Sequence, residues 1–414
     1  MSTLSQPNAT AVMGWKERDV PFVGDAGGDE LGSLVAQSAD ASIMAIAAPG
    51  YENDMGYVKV YRTDGNRVQL GQTIYGDAVG DFFGGSIDIT ADGMTIICSA
   101  PDWIVYDDRL GYARVFSLQG DEDLGTDTWR QIGQDITGEA VGDEFGVSVS
   151  ISDDGATIAI GANFNDGDKG VDSGHVRIYR LIVEGMFWKQ IGQDIDGAAA
   201  DDWSGYSVSL SADGSTVAIG APHNDYNGDD SGQVTVYRFD YIRLSWEPLG
   251  QSIHGDNALD KLGMSVQLSP DGIILAVGSP SLGGAGYVRV FSLASGNDIN
   301  TATWNQIGQD IVGDASGNEF GWSISLSDDS KTLAVGARDA DGKNGVDSGR
   351  VRIYRVDDTK NWIQLGDDID GEGVSDWSGY SMSLSADGNK VAIGAPYNDD
   401  NGVDSGQVRV FVFE

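Results

Sequence analysis

One pattern is written seven times along this chain, and its spacing limits the possible fold more than any other feature. Its marker glycines are Gly32, Gly84, Gly146, Gly205, Gly263, Gly321 and Gly379, so the last four steps are 59, 58, 58 and 58 residues. The copies vary one plan: a step onto the marker glycine, an alternating run such as Ser/Val/Ser/Leu, a turn that is Asp-Gly in five of them, a run such as Ala-Ile-Gly-Ala-Pro and a run such as Val-Arg-Val-Tyr. A fixed period filled with short strands predicts a radial array of small sheets: an all-β, seven-bladed β-propeller of four-stranded antiparallel blades. A closed ring also explains how 414 residues can form one domain, and the 59 glycines suit its many tight turns.

The copy from Trp203 to Gly255 shows the plan. Tyr206, Val208 and Leu210 alternate with Ser207, Ser209 and Ser211, the period of two that marks a strand. Asp213-Gly214 forms a hairpin turn, with Gly supplying positive φ. Val217 to Ala221 is the second strand, Val234 to Tyr237 the third, and Trp246 to Ile253 the fourth. Asp40-Ala41 and Asp329-Ser330 lack the turn glycine, so another turn type is expected there. Trp129, Trp188, Trp246, Trp304 and Trp362 each open a fourth strand, and a tryptophan at one fixed place per copy is expected to fill the space between blades rather than stack a ligand.

The seventh copy ends at its third strand, Gln407 to Phe413, whereas Trp15 to Val20 precedes the first marker and reads as a displaced fourth strand. The two are expected to pair and latch the ring, because an open array would expose two strand edges. The expected organisation is a polar, flexible segment 1–14 and one propeller over 15–414, with blades near 31–76, 83–138, 145–197, 203–255, 262–313, 320–371, and 377–414 plus 15–20.

The formal charge is −39, from 25 Lys+Arg against 64 Asp+Glu. Such a field repels phosphate backbones and anionic lipid and attracts cations and basic partners, so nucleic acid is excluded; the same charge also serves solubility. No run approaches the roughly 18 apolar residues of a membrane span, so no membrane insertion is expected. The single cysteine, Cys98, reads as a buried small hydrophobe, and only three histidines, His175, His223 and His254, scattered along the chain, argue against a His-rich zinc site. Residues 1–14 lack a secretory-signal layout, so the chain reads as intracellular or as missing a processed segment. Nothing in the sequence sets an oligomeric state.

These copies resemble the FG-GAP family, the repeat of the integrin α-subunit propeller and of many surface proteins of microbes and algae. Phe145-Gly146 followed by Gly161-Ala162, Phe320-Gly321 by Gly336-Ala337, and Gly220-Ala221-Pro222 or Gly394-Ala395-Pro396 carry the resemblance. It implies a binding or adhesion propeller, often extracellular or at the cell surface and often calcium-dependent. In that family calcium sits in a long Asp-rich loop between the first and second strands. Here that connection is as short as Ser211 to Ser215, so the family's metal site does not transfer.

The acidic residues concentrate in two other sets of loops, expected on one face. Between second and third strands stand Asp166, Asp168 and Asp172; Asp225, Asn227 and Asp230; Asp341, Asn344 and Asp347; and Asp399, Asn401 and Asp404. Their Asp-x-Asn/Asp spacing around a glycine makes them candidate calcium ligands, the alternative being side-chain turns onto their own backbone. Between blades, Asp29, Asp81, Asp143, Asp201 and Asp260 precede the marker aromatic or leucine, with Asn318 and Ser375 in copies six and seven. They are expected to accept backbone N–H groups, the alternative being a ring of carboxylates for a cation. Trp203 and Trp377 read as replacements for the marker phenylalanine, whereas Trp103 and Trp322 are singular. Trp103, Tyr106, Asp107, Asp108 and Trp322 are therefore the candidate partner-binding residues. No nucleophile motif or histidine cluster points to catalysis. The expected function is a non-enzymatic binding or adhesion module whose acidic face engages a protein or glycan, with a lectin or glycan-processing propeller as the alternative.

Overall fold

The structure, a computed structural model, describes residues 13–414 except 66, 102–108, 121–126, 185, 282–283 and 295–300. The described residues form seven antiparallel sheets, each with four strand positions. In five of them the outer position is two short pieces: Phe187–Gln190 and Ile195–Asp196 both pair with His175–Ile182. The break falls at Gly192, whose φ is +75° and where a Cβ would lie 2.6 Å from Trp246 Cδ1 of the next blade. Glycine there lets the indole close against the backbone.

The ring closes as the sequence implies. Trp15–Val23 pairs antiparallel with Gln407–Phe413, from Trp15 opposite Phe413 to Val23 opposite Gln407, with a bulge between Arg18 and Phe22.

Innermost strands of neighbouring blades splay around the axis and form no ladder with each other, so their backbone groups need other partners. The serines of the Ser/Val/Ser/Leu run supply them. Ser148, Ser207, Ser265, Ser323 and Ser381 donate Oγ–H to the marker-glycine carbonyl of the next blade at 2.7–2.9 Å. Two residues on, Ser150, Ser209, Ser325 and Ser383 accept the N–H of Leu210, Leu268, Leu384 and Gln37 at 2.9–3.1 Å. Gln267 and Asp88 do the same for Leu326 and Ile151.

Farther out, tryptophan locks the blades. Trp129, Trp188, Trp246, Trp304 and Trp362 are 2–3% exposed, and each indole N–H reaches a carbonyl of the preceding blade at 2.8–3.2 Å, as Trp246 does to Ile191. Trp15 makes the sixth such contact, to Leu365. These indoles are packing elements, as expected from their fixed place.

The first hairpin departs from the sequence reading. All seven copies use one turn: Ala41 and Ser330 take positive φ, 53° and 57°, like Gly214 at 63°. Their N–H groups bond Ser38 and Ser327 as Gly214 bonds Ser211, all at 2.8 Å. The turn is held by the aspartate, which accepts Ser38 Oγ–H and Ser42 N–H in Asp40 and the equivalent groups in Asp329. That carboxylate anchor tolerates a non-glycine residue at left-handed φ. Cys98 is fully buried, and burial pushes its thiol pKa up.

Deleting residues 1–24 removes a whole outer strand and one indole lock. Thermal unfolding should then begin far below the wild-type transition and lose cooperativity; an unchanged melting temperature would contradict the latch.

Candidate functional site

The loops of one face are organised in six of the seven copies by a buried carboxylate three residues before the marker glycine, the sixth copy having Asn318 there. Asp29, Asp81, Asp202 and Asp260 each accept two backbone N–H groups at 2.8–3.1 Å, and Asp143 and Asp376 accept one. The expected backbone role holds, but the register in copies four and seven differs from the sequence reading. Asp202 and Asp376, not Asp201 and Ser375, occupy the site. The cause is the Asp-Trp-Ser-Gly order: Trp203 and Trp377 sit two residues before the marker glycine, and Ser204 and Ser378 take the buried place of Phe145.

The remaining valence of each carboxylate is filled in two ways. In blades one, two and five a tyrosine hydroxyl does it: Tyr57 to Asp29, Tyr112 to Asp81 and Tyr287 to Asp260, at 3.0–3.4 Å. In blades three, four and seven an asparagine from the long acidic loop does it: Asn165, Asn224 and Asn398, at 2.8–3.0 Å. The acidic loops are therefore tied to the core through their asparagines.

Each acidic loop closes on its own first aspartate. Asp166, Asp225, Asp341 and Asp399 accept the N–H of Asp172, Asp230, Asp347 and Asp404 at 2.9–3.1 Å. Asn227, Asn344 and Asn401 donate to Gly255, Gly371 and Gly24, pinning each loop to the start of the next blade. The last aspartate of each loop then accepts, through its main-chain carbonyl, the N–H of Trp203, Lys261, Trp377 or Glu30. Both sets of acidic loops thus share one face. Among the candidate ligands, Asp225 and Asp230 converge with Asp229 closely enough to hold a cation. Asp230 is also engaged by His223 Nδ1 at 2.8 Å, and Asp168 is exposed.

A second convergence, Glu139, His175 and Asp194, has another explanation. The Arg177 guanidinium pairs with both carboxylates. Arg114, Arg289 and Arg352 make the same clasp between a blade and the connection before it. A fixed cation already occupies this site, and burial drives the His175 pKa down to about 4.

On the acidic face the axis opens into a funnel of about 550 Å³, lined by residues of all seven blades. Its floor is apolar, with Val35, Val149, Val208, Val266, Ile324 and Met382. Its rim is uneven. Tyr206, Trp322, Tyr380 and Tyr397 form an aromatic arc on blades four, six and seven. Trp322 lies 5.7 Å from Tyr380, and Trp377 packs edge-on against Tyr397 at 4.8 Å. The Arg338 guanidinium covers Trp322 at 3.3 Å and is held by Glu319 at 2.7 Å. Rim residues Glu30, Phe82, Glu144, Trp203, Lys261, Glu319 and Trp377 all adopt φ of 52–56°. Bulky residues seldom do so, and in Glu30, Phe82, Trp203, Lys261 and Trp377 the loop carbonyls that receive their N–H groups hold them there.

Electrostatically the rim is loaded. Burial, then Asp54 and Asp404, push the Glu30 carboxyl up to about 7, and burial and Asp172 push Glu144 up to about 7. Asp339 rises to about 6, from burial and Glu319. Among the predicted partner-binding residues, Trp322 stands on the funnel, whereas Trp103, Tyr106, Asp107 and Asp108 lie outside the described residues. Sequence reasoning missed Tyr206, Tyr380, Tyr397, Arg338, Glu30 and Glu144. The available signal was variation inside a fixed frame: the residue after the marker glycine is Ser33, Gly85, Val147, Tyr206, Met264, Trp322 or Tyr380.

Fold and repeat together define the class, a seven-bladed propeller, and three stretches of it match a known repeat. The FG-GAP repeat family matches residues 137–179, 195–237 and 313–354. No curated protein matches the chain significantly. Among solved structures, a candidate 6-phosphogluconolactonase from Bacteroides uniformis superposes with a TM-score of 0.55 at 16% identity, covering 83% of this chain and 87% of that one. At that identity the likeness shows the fold alone. No helix among the described residues is long and apolar enough to cross a membrane.

Because the folded state holds the Glu144 proton more tightly than the unfolded chain, the stability this gives is complete below about pH 4.5 and is lost as pH rises through about 7. Glu144→Gln should therefore raise the melting temperature at pH 8 and leave it little changed at pH 4; equal shifts at both values would contradict the assignment.

Proposed function

We propose that this protein is a non-enzymatic binding module that receives a protein or glycan partner at the axial funnel of its acidic face. One observation carries the reading: the frame repeats in every blade, while the residues aimed into the funnel are the ones that do not. A surface that only closed a fold would have no reason to gather Tyr206, Trp322, Tyr380 and Tyr397 on one side of the rim and to half-bury the carboxyls of Glu30 and Glu144 elsewhere on it. Catalysis is disfavoured because the inter-blade aspartates and the acids of the arginine clasps already accept backbone or arginine donors that recur from blade to blade.

A lectin is the second reading, favoured by the arc of Tyr206, Trp322, Tyr380 and Tyr397, since sugar rings stack on such faces. FG-GAP repeats also support a place outside the cell or on its surface, and an adhesive role. Calcium would bind at the acidic loops, with Asp225, Asp229 and Asp230 as the first ligands to test.

Arrays of immobilised glycans and of cell-surface proteins, read with wild type and with a Trp322→Ala/Tyr380→Ala variant, test the site. Binding by wild type that falls at least about tenfold in the variant at unchanged melting temperature supports the funnel; retention of full binding overturns it. In calorimetry, calcium should release or absorb heat that Asp225→Asn abolishes. Absence of heat beyond a magnesium control would leave the loops as structural turns.

A further inference from the structure

The seventh junction, where the ring closes, is built differently from the other six. In each of those, a tryptophan precedes by four residues a residue of positive φ, and the indole packs on the corresponding glycine of the preceding blade, from Trp129 on Gly71 to Trp15 on Gly366. Directly across the blade from it stands a large apolar partner: Leu118, Leu181, Phe239, Leu293, Val356 or Phe413. Blade one, which meets blade seven, has neither. Four residues before Gly71 stands Arg67, and Thr63 occupies the place of the apolar partner. The glycine that would receive the indole is Asp19, which keeps the positive φ, 62°.

Losing an indole and an aliphatic group from one contact leaves space, and the structure has a cavity of about 400 Å³ there. Its apolar wall is Phe22, Val408, Val410 and Val412. Its charged lining is Arg18, Arg67 and Lys390 against the single acid Asp19, a local excess of cations on a chain of net charge −39. Arg18 is paired with Glu414 at 3.0 Å. The hydrogen bonds of the other two go to neutral main-chain carbonyls: Arg67 to Val20 and Pro21, and Lys390 to Asp40, at 3.0–3.1 Å. The Arg67 guanidinium lies flat on Phe22 at 3.2 Å, and burial lowers its pKa. Asp40 and Asp387 lie within electrostatic reach of Lys390 and Asp19 within that of Arg67, yet neither cation forms a carboxylate ion pair among the described residues, so an anion would find two cations with open charge-assisted contacts.

We propose that this cavity binds a small planar aromatic carboxylate, the ring lying on the wall of Val408, Val410 and Val412 and the carboxylate held by Arg67 and Lys390. Six sister junctions place an aromatic ring in this blade contact, each against a glycine; Asp19 carries a Cβ where that glycine would be, so a ring here lies farther along the apolar wall, and the cations select an acidic one. Because the cavity lies beside the strand that latches the ring, occupation would brace the closure. This site is separate from the axial funnel, so its test does not depend on the function proposed for that face.

Indole-3-acetate is the probe, with indole and acetate as controls, read by calorimetry and thermal unfolding. Indole-3-acetate should bind and raise the melting temperature, indole should bind at least about tenfold more weakly, and acetate should do neither. Arg67→Trp combined with Asp19→Gly restores both the indole and the glycine that receives it, and should abolish binding while raising the melting temperature by itself. Lys390→Gln, which fills nothing, should weaken binding about tenfold in a fold that is otherwise intact. No binding of indole-3-acetate at millimolar concentration, equal binding of acetate, or undiminished binding in Lys390→Gln would overturn the proposal.

Discussion

Side-chain hydrogen bonds between innermost strands hold this ring together. A propeller must bring seven strand edges to one axis at a spacing too wide for a ladder, and an edge without partners leaves buried N–H and C=O groups unsatisfied. Here the serines of one strand reach the next, as Ser325 Oγ accepts Leu384 N–H at 2.9 Å and Ser323 donates to Gly379 at 2.7 Å. Each such bond contributes about 1 kcal/mol, but leaving its buried partner unmade costs about 1–3. Asp88 shows the same demand met at a cost. It replaces serine in the second blade, accepts Ile151 N–H at 2.8 Å, and its carboxyl rises to about 6 through burial.

Once the inner strands are fixed, the loop face follows. In six copies the carboxylate three residues before the marker glycine folds the connection between blades, and in five the loop of the preceding blade clamps the next residue into positive φ. Those clamped positions form the funnel rim. The scaffold thus fixes where seven side chains point without fixing what they are, which is how a repeat yields a site of its own character. Aromatic residues gather on one arc, acids on another, and Arg338 bridges them.

The repeat, the seven blades, the latch at Trp15 and the packing of the five later tryptophans were legible because each is a matter of period and alternation. The role of the serines was not. Alternation tells that Ser209 and Leu210 face opposite ways, but not that Ser209 serves Leu268 in another copy 59 residues on. The aspartate register failed in copies four and seven because an aromatic at 203 or 377 looks like the marker phenylalanine when only residue type is compared. Funnel residues were illegible for a related reason: Tyr206, Trp322 and Tyr380 meet only after three blades close around the axis. The absence of a first-blade tryptophan stood in the sequence at Arg67, yet its consequence is a cavity against Phe22, a contact between blades that no single copy displays.

Amide hydrogen exchange in Ser325→Ala gives the most direct test of the claim that serines join the blades. The account predicts that Leu384 N–H, protected in the wild type like an interior strand amide, exchanges much faster in the variant while the Ser381–Leu384 strand keeps its other protection. Unchanged exchange at Leu384, or rapid exchange there already in the wild type, would contradict it.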